Sequence, residues 1–186
     1  MNKRCIAICV FLFWRTAWGV SENGTGTVLV ADHLFSFTAP KGWIMDDRSG
    51  VAQGLYVVFY PSGQSWRDSP VIAYMRTYGK SDAIATIPQL VDNTIRINGS
   101  PDYRVAFFQA IELGPDRQAM IYHYSGDRRG THEAIAYIEE QNSFNCLVLS
   151  ARDRKEFDDS WEKFDEMVRS YTFTPRAQAP KPGTSE

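Results

Sequence analysis

The sequence predicts an α+β fold in which an antiparallel β-sheet of about seven strands is sandwiched by helices. Short runs rich in β-branched and aromatic residues recur along the chain, and each is bounded by turn-forming residues, as strands are. Two other segments repeat their apolar residues every three or four positions, which is the period of an amphipathic helix. The predicted strands lie at about 34–38, 43–45, 55–60, 71–78, 103–113, 117–125, 132–140 and 144–151.

Two helices are predicted to pack on this sheet. The first begins at a capping box, in which the side chains of Thr86 and Gln89 satisfy each other's backbone N–H groups. It ends at Asn98-Gly99, a helix stop signal, and Asp153 and Glu156 cap the second helix in the same way. The apolar faces comprise Ile87, Leu90, Val91 and Ile95 in the first helix and Phe157, Trp161, Phe164, Val168 and Tyr171 in the second.

The first 19 residues have the pattern of a signal peptide. Lys3 and Arg4 form a basic start, Cys5–Trp14 is an apolar run of ten residues, and Ala17 and Gly19 are small residues at a cleavage site. A membrane helix needs roughly 20 apolar residues, so this run is too short to serve as an anchor. The sequence therefore predicts a secreted or periplasmic protein that is soluble after cleavage at about Gly19, with no remaining membrane span.

Charge and cysteine content narrow the class of protein further. The chain has 20 Lys and Arg against 22 Asp and Glu, and removal of the leader leaves 17 against 22. Such an acidic domain argues against a nucleic-acid partner, since phosphate binding needs a basic surface. Cys5 and Cys9 leave with the leader, so Cys146 is alone and is predicted to be a small buried apolar residue.

The remaining chain divides into three parts by composition. Residues 20–32 are predicted to form a flexible lead-in, because they begin with polar and Gly-rich sequence. Residues 33–173 form the folded domain. Residues 174–186 form a Pro-rich tail without large apolar residues, which cannot offset the entropy cost of ordering and is predicted to be disordered.

Three local motifs resemble those of the PsbP/Mog1-like family. They are Phe35–Trp43, which ends in Pro-Lys-Gly-Trp, then Phe59–Gly63, and the end of the last helix at Val168–Phe173. The resemblance covers residues 33–173 and is strongest to the exported bacterial branch of small, mostly uncharacterised proteins. It implies an α/β/α sandwich and, more often than an enzyme, a platform that docks other proteins.

The sequence predicts no catalytic residues and no cofactor. The sequence contains neither a phosphate-binding P-loop nor a Gly-x-Ser-x-Gly nucleophile motif. His132-Glu133 begins like a zinc protease helix, but Ala136 occupies the position of the second histidine and the segment alternates like a strand. The sequence therefore predicts a non-enzymatic protein.

A metal site at one hairpin is the alternative that the histidines leave open. If Ser125 faces Thr131 across the turn, His123 pairs with Glu133 and His132 lies on the other face of the sheet. A slip of one residue would put both histidines on the same face, where they could share a metal ion. The metal candidates are His123, His132 and Glu133, with Asp127 as a further acid.

Two loops carry the candidates for binding a protein partner. Arg128 and Arg129 form the tip of the same hairpin, where an exposed Arg pair could bind an anionic partner. Trp66 lies in a polar connection of ten residues and is either folded back on the sheet or a binding anchor. The predicted function is a docking or accessory module that binds another envelope protein. The alternative is a carrier of a small molecule or metal ion that uses the sheet face and the histidine hairpin.

Overall fold

The computed structural model describes residues 20–30, 32–98 and 100–175, and these residues form eleven strands and three helices. The strands are β1 (Val20–Glu22), β2 (Thr25–Leu29), β3 (His33–Thr38), β4 (Trp43–Asp46), β5 (Val58–Pro61), β6 (Val71–Gly79), β7 (Arg104–Gly114), β8 (Arg117–Ser125), β9 (His132–Glu139), β10 (Ser143–Ala151) and β11 (Thr172–Pro175). The helices are α1 (Ile87–Asn98), α2 (Arg154–Asp159) and α3 (Trp161–Arg169), and Val51–Gln53 form a short 3₁₀ turn.

The strands form two antiparallel sheets rather than one. The large sheet has eight strands in the order β1-β4-β5-β6-β10-β9-β8-β7, and the small sheet has three in the order β11-β3-β2. The predicted α+β class, the sheet of about seven strands and the meander from β7 to β10 are confirmed, and the small sheet is an addition to the predicted architecture. The signal peptide predicted over 1–19 lies outside the described residues.

Both faces of the large sheet are covered. The small sheet, α2 and α3 pack on one face around Phe35, Phe59 and Phe164, while α1 packs on the other with Leu90 against Tyr137. Because both faces are buried, eight of the nine residues of the central strand β10 are buried, and six of the nine are apolar. Among the described residues, no helix is long and apolar enough to cross a membrane.

The lead-in predicted to be flexible contains two strands. β1 pairs with β4, and β2 pairs with β3 in the small sheet. A glycine is required at one point in this segment, since a Cβ atom on Gly26 would lie only 2.3 Å from Cγ1 of Val57. The Gly-rich composition that indicated flexibility therefore reflects close packing of β2 on the large sheet.

The C-terminal region also differs from the prediction. The single helix expected after Asp153 is divided at Ser160 into α2 and α3, although Asp153 does accept the predicted capping bond from the Glu156 amide (2.9 Å). Beyond α3, β11 pairs with β3 and extends to Pro175. The tail predicted to begin at residue 174 thus starts with two paired residues, and the rest of it lies outside the described residues.

The capping box of α1 is confirmed. The amide of Thr86 donates to Oε1 of Gln89 (3.1 Å), and the amide of Gln89 lies 3.4 Å from Oγ1 of Thr86. The predicted apolar face is buried at Ile87, Leu90 and Val91, but Ile95 is exposed near the end of the helix. The first turn is therefore the part of α1 that is fixed most firmly to the sheet.

Candidate functional site

The hairpin between β8 and β9 has the slipped register. His123 lies opposite Ala134, and Tyr124 lies opposite Glu133. Side chains alternate between faces along a strand, so His123 and His132 share one face of the sheet while Glu133 lies on the other. The structure therefore separates Glu133 from the two histidines with which it was grouped as a metal ligand.

The two histidines contact aromatic rings rather than each other. His123 stacks on Phe108 with ring centres 4.2 Å apart, and the rings of Trp161 and Phe157 lie 5.0 and 5.1 Å away. The Phe157 ring is also 6.3 Å from that of His132. No cluster of three or more His, Cys, Asp or Glu residues arranged for a metal ion occurs in the part of the chain that the structure describes.

The surroundings of the His123 imidazole favour its neutral form. Burial lowers its pKa, and the positive charge of Arg154 lowers it further against a weaker opposing effect of Asp158. Its Nε2 atom is buried and has no hydrogen-bond partner among the described residues. Such an atom is costly to bury, and here the aromatic packing of the ring offsets that cost.

Glu133 faces a pocket beneath α1. This pocket of about 300 Å³ is also lined by Tyr74, Tyr103, Arg76 and Leu90. Burial raises the pKa of Glu133, and the Ser150 side chain opposes the shift. A carboxyl group that resists ionisation inside a tyrosine-lined pocket is a common feature of binding sites.

Trp66 is half-buried at one end of the large sheet. It lines a small pocket of about 180 Å³, and Thr131 at the base of the β8–β9 hairpin lines the same pocket. The guanidinium of Arg67 lies 5.7 Å from the centre of the Trp66 ring, and Nη2 of Arg152 donates to the carbonyl of Arg67 (3.0 Å). The long loop is thereby joined to the end of β10.

The two arginines at the hairpin tip are exposed, and Asp127 shapes the turn that carries them. Its carboxylate accepts hydrogen bonds from the amides of Arg129 (3.1 Å) and Thr131 (2.8 Å) and from the Thr131 hydroxyl (2.7 Å). Burial acts to raise the pKa of Asp127, but these donors outweigh it and lower the pKa. At neutral pH the Asp127 carboxylate therefore stabilises the turn that presents Arg128 and Arg129.

The structure brings both predicted partner-binding elements to the same end of the sheet. We call this surface the arginine end, and it comprises Trp66, Arg67, Arg128, Arg129 and Arg152. All four arginines are exposed, and within the described residues none of them forms an ion pair. Four unpaired positive charges around a tryptophan make a surface suited to an anionic partner.

A buried polar network was not apparent from the sequence. Nδ1 of His33 lies 2.6 Å from Oδ1 of Asp32, and Nε2 lies 3.4 Å from Oγ of Ser143. The order Ser-His-Asp is that of a hydrolase triad, but His33 is only 2% exposed and Ser143 only 1%. Nε2 also lies 3.0 Å from Nδ2 of Asn145, which donates to it. This arrangement therefore stabilises the interior and cannot reach a substrate.

Cys146 is buried and free, as predicted. Burial raises the pKa of its thiol, and Arg76 opposes that effect only in part. A protonated thiol without solvent access is a poor nucleophile. Cys146 thus belongs to the packing of β10 against α1.

A further cleft, of about 720 Å³, lies between the two sheets. It is next to residues 53–56, which precede β5 and do not pair with β6. Thr27 and Leu29 of β2 line one side, and Arg76 and Thr77 of β6 line another. Tyr56, in the loop before β5, lies at the rim. No sequence motif indicates this cleft, because it arises from the point at which a strand begins.

The fold is an α+β sandwich. One face of its large antiparallel sheet is covered by the small sheet, α2 and α3, and the other face by α1. Among solved structures, LpqN of Mycobacterium tuberculosis, described as involved in cell envelope biogenesis, is similar with a TM-score of 0.51 and 17% identity over 84% of this chain and 92% of that one. This likeness shows the fold, which is the PsbP/Mog1-like α+β fold. The resemblance found in the sequence motifs is thus confirmed for the fold.

Two other solved structures show weaker similarity. Cyanobacterial PsbP (CyanoP) from Synechocystis sp. PCC 6803 has a TM-score of 0.47 and 20% identity over 79% of this chain and 95% of that one. The Ran-binding protein Mog1p of Saccharomyces cerevisiae has a TM-score of 0.46 and 12% identity over 81% and 96%. No protein-family model and no curated protein matches the chain.

Proposed function

We propose that the protein is a non-catalytic docking module of the bacterial envelope, exported by its signal peptide, which binds an acidic segment of another protein at the arginine end. The observation that carries this proposal is the convergence of Trp66 and the β8–β9 hairpin on one pocket. The two loops are about 60 residues apart in sequence, and only the pairing of β6, β10 and β9 brings them together.

Charge supports an acidic partner. The protein without its leader has 17 basic residues against 22 acidic ones, yet the arginine end presents four arginines without ion-pair partners among the described residues. Opposite charge on a partner speeds association and fixes its orientation. Trp66 supplies the apolar contact area that charged groups alone lack, since aromatic residues dominate the energy of many interfaces.

The test is affinity capture with the tagged protein, lacking residues 1–19, from its own envelope fraction. A partner identified by mass spectrometry is then purified, and its affinity is measured for the wild type, Trp66→Ala and Arg128→Ala/Arg129→Ala. We expect each variant to bind at least tenfold more weakly, and binding by the wild type to weaken as salt is raised.

A matched control removes the same charge elsewhere. Arg48→Ala/Arg96→Ala deletes two exposed arginines, one in the loop after β4 and one on α1, that are not part of the arginine end. This variant should bind like the wild type. Equal binding by all variants, or equal losses in the control and the arginine-end variants, would rule out the proposal.

One observation favours a second function, the binding of a small molecule in the α1 pocket. The walls carry Glu133 and Arg76, of opposite charge, together with the aromatic rings of Tyr74 and Tyr103. These groups suit a small ligand that bears both charges. Native mass spectrometry of the protein isolated from its host should then show a bound mass that Tyr103→Ala/Glu133→Ala abolishes, and a protein free of ligand would count against this function.

A further inference from the structure

The last residues of β6 have an open edge. β5 pairs with β6 only opposite Ala73 and Tyr74, and the amide of Met75 donates to the carbonyl of Val57 (3.2 Å). Main-chain groups point to alternate sides along a strand, so those of Thr77 face the same side as those of Met75. There, residues 53–56 form the end of the 3₁₀ turn and a loop instead of a strand. The N–H and C=O of Thr77 therefore face a place where a neighbouring strand is missing.

β2 has a second open edge. The amide of Val30, just past the strand, donates to the carbonyl of His33 (2.8 Å), so even-numbered residues of β2 bond to β3. By the same alternation, the main-chain groups of Thr27 and Leu29 point away from β3. Within the described residues the small sheet ends at β2 on that side. The backbone N–H and C=O groups at these edges of β6 and β2 are thus available to pair with another strand.

Both edges line the same cleft. Thr27, Leu29 and Thr77 all line the space of about 720 Å³ between the sheets, and Met75 gives it an apolar wall. At the rim, Leu29 and Tyr56 remain 61% and 63% exposed. Apolar walls beside free strand edges are the two parts of a strand-addition site, because main-chain bonds give affinity and side-chain contacts give selectivity.

We propose that this cleft binds an extended peptide segment of a partner protein as an added strand, paired with β6 through the main chain of Thr77. The segment occupies the position beside Thr77 that β5 does not reach. Its alternate side chains point to the wall at Met75, so we expect a segment of alternating apolar and polar residues. This surface is separate from the arginine end and makes a second docking site.

A flexible segment fits the cleft better than a second copy of this chain. The open edge of β6 lies between β2 on one side and the loop that carries Tyr56 on the other. These flanking elements keep two β6 edges from approaching to the roughly 4.8 Å that paired strands require. Asp47 and Arg76 give the cleft one charge of each sign, so its ligand has no required net charge, unlike a ligand of the arginine end.

The test uses a library of random heptapeptides displayed on phage and selected on the wild-type protein. The variant Thr77→Pro removes the one N–H that pairs with the added strand, and proline is tolerated where a strand N–H faces solvent. Thr77→Val is the matched control, because it loses the same hydroxyl and keeps the N–H. We expect enriched peptides to bind Thr77→Val like the wild type and Thr77→Pro at least tenfold more weakly.

A second measurement covers the case in which Thr77→Pro unfolds. Hydrogen exchange of the wild-type Thr77 amide, followed by NMR, should slow at least tenfold when an enriched peptide is added. Failure to enrich any peptide, equal binding to a folded Thr77→Pro variant, or unchanged exchange at Thr77 would each overturn the inference. Peptide binding should survive Arg128→Ala/Arg129→Ala, which separates this outcome from that of the proposed function.

Discussion

Nδ2 of Asn145 donates a hydrogen bond to Nε2 of His33 across a distance of 3.0 Å, and this bond joins the two sheets. Asn145 lies in β10 at the centre of the large sheet, and His33 begins β3 in the small one. The same amide nitrogen lies 2.9 Å from the hydroxyl of Tyr171, just before β11. The buried side chain of Asn145 therefore binds two parts of the small sheet to the large sheet: β3, from the N-terminal part of the chain, and the start of β11, from the C-terminal part.

Asn145→Ala should destabilise the protein strongly. It removes the amide that donates to Nε2 of His33 and to the Tyr171 hydroxyl, which keeps its own bond to Glu140 (2.8 Å), and loss of a buried hydrogen-bond partner costs about 1 to 3 kcal/mol. We expect a loss of about 2 to 4 kcal/mol in the free energy of unfolding, measured by urea denaturation. Asn142→Ala is the control, since Asn142 bonds to Asp32 from an exposed position (2.6 Å). A loss no larger than that of the control would contradict the role assigned to Asn145.

Glu133→Gln should stabilise the protein at neutral pH. Burial raises the pKa of Glu133 above its ordinary value of 4.5, so the folded state prefers the protonated form. This carboxyl therefore lowers stability as pH rises from about 4.5 through its folded pKa, and the loss persists above that. Urea melts at pH 4 and pH 8 should show that the variant gains mainly at pH 8. Glu112→Gln, at an exposed site in β7, should show no such gain.

Asp46→Asn should destabilise the loop after β4. The Asp46 carboxylate, only 1% exposed, accepts bonds from the amides of Arg48 and Ser49 (both 2.9 Å) and from the Tyr60 hydroxyl (3.0 Å). Burial alone would raise its pKa, but these donors hold it below its usual range. We expect a loss of about 1 to 3 kcal/mol near pH 7.

The pH dependence of this effect follows from the same bonds. A carboxyl with a lowered pKa stabilises the fold above its unfolded pKa of 3.8, and the contribution fades as pH falls through the folded pKa. The difference between the wild type and Asp46→Asn should therefore shrink below pH 3.8 in thermal melts. Asp47→Asn, at the exposed neighbouring position, should change stability little at any pH.

His123→Phe should stabilise the protein by roughly 1 kcal/mol, because it removes a buried nitrogen that has no partner among the described residues. The new ring keeps the stack on Phe108. The lowered pKa of His123 also means that the wild type loses stability as pH falls below 6.5, and this part of the acid sensitivity should disappear. His132→Phe is the control, and an equal gain there would refute the explanation.

Local signals predicted the elements that local interactions form. The capping boxes at Thr86 and Asp153 and the turns of the meander were visible because their partners lie within a few residues. β11 was missed because it pairs with the distant strand β3, and such pairing leaves no periodic pattern in a short strand. β2 was missed although it forms a short hairpin with β3, because Gly26 indicated flexibility where it permits contact with Val57.

The candidate site was predicted only in its parts. Trp66 and the Arg128-Arg129 tip were identified separately, and their meeting depends on the register of three strands. The sequence allowed two registers of the β8–β9 hairpin that differ by one residue. The register in the structure places Glu133 on the opposite face from the two histidines. The cleft beside Thr77 was not predictable, because it results from the point at which β5 diverges from β6.

The pairing of β3 with β11 has a consequence for the order in which the protein matures. A chain that emerges from a ribosome or a translocation pore with its N-terminus first has β3 long before it has β11, α2 or α3. Until then, Phe35 and Phe37 lack Tyr171, whose ring centre lies 6.3 and 5.3 Å from theirs. Contacts between such distant segments form late and slowly. The last steps of folding therefore wait for the whole chain.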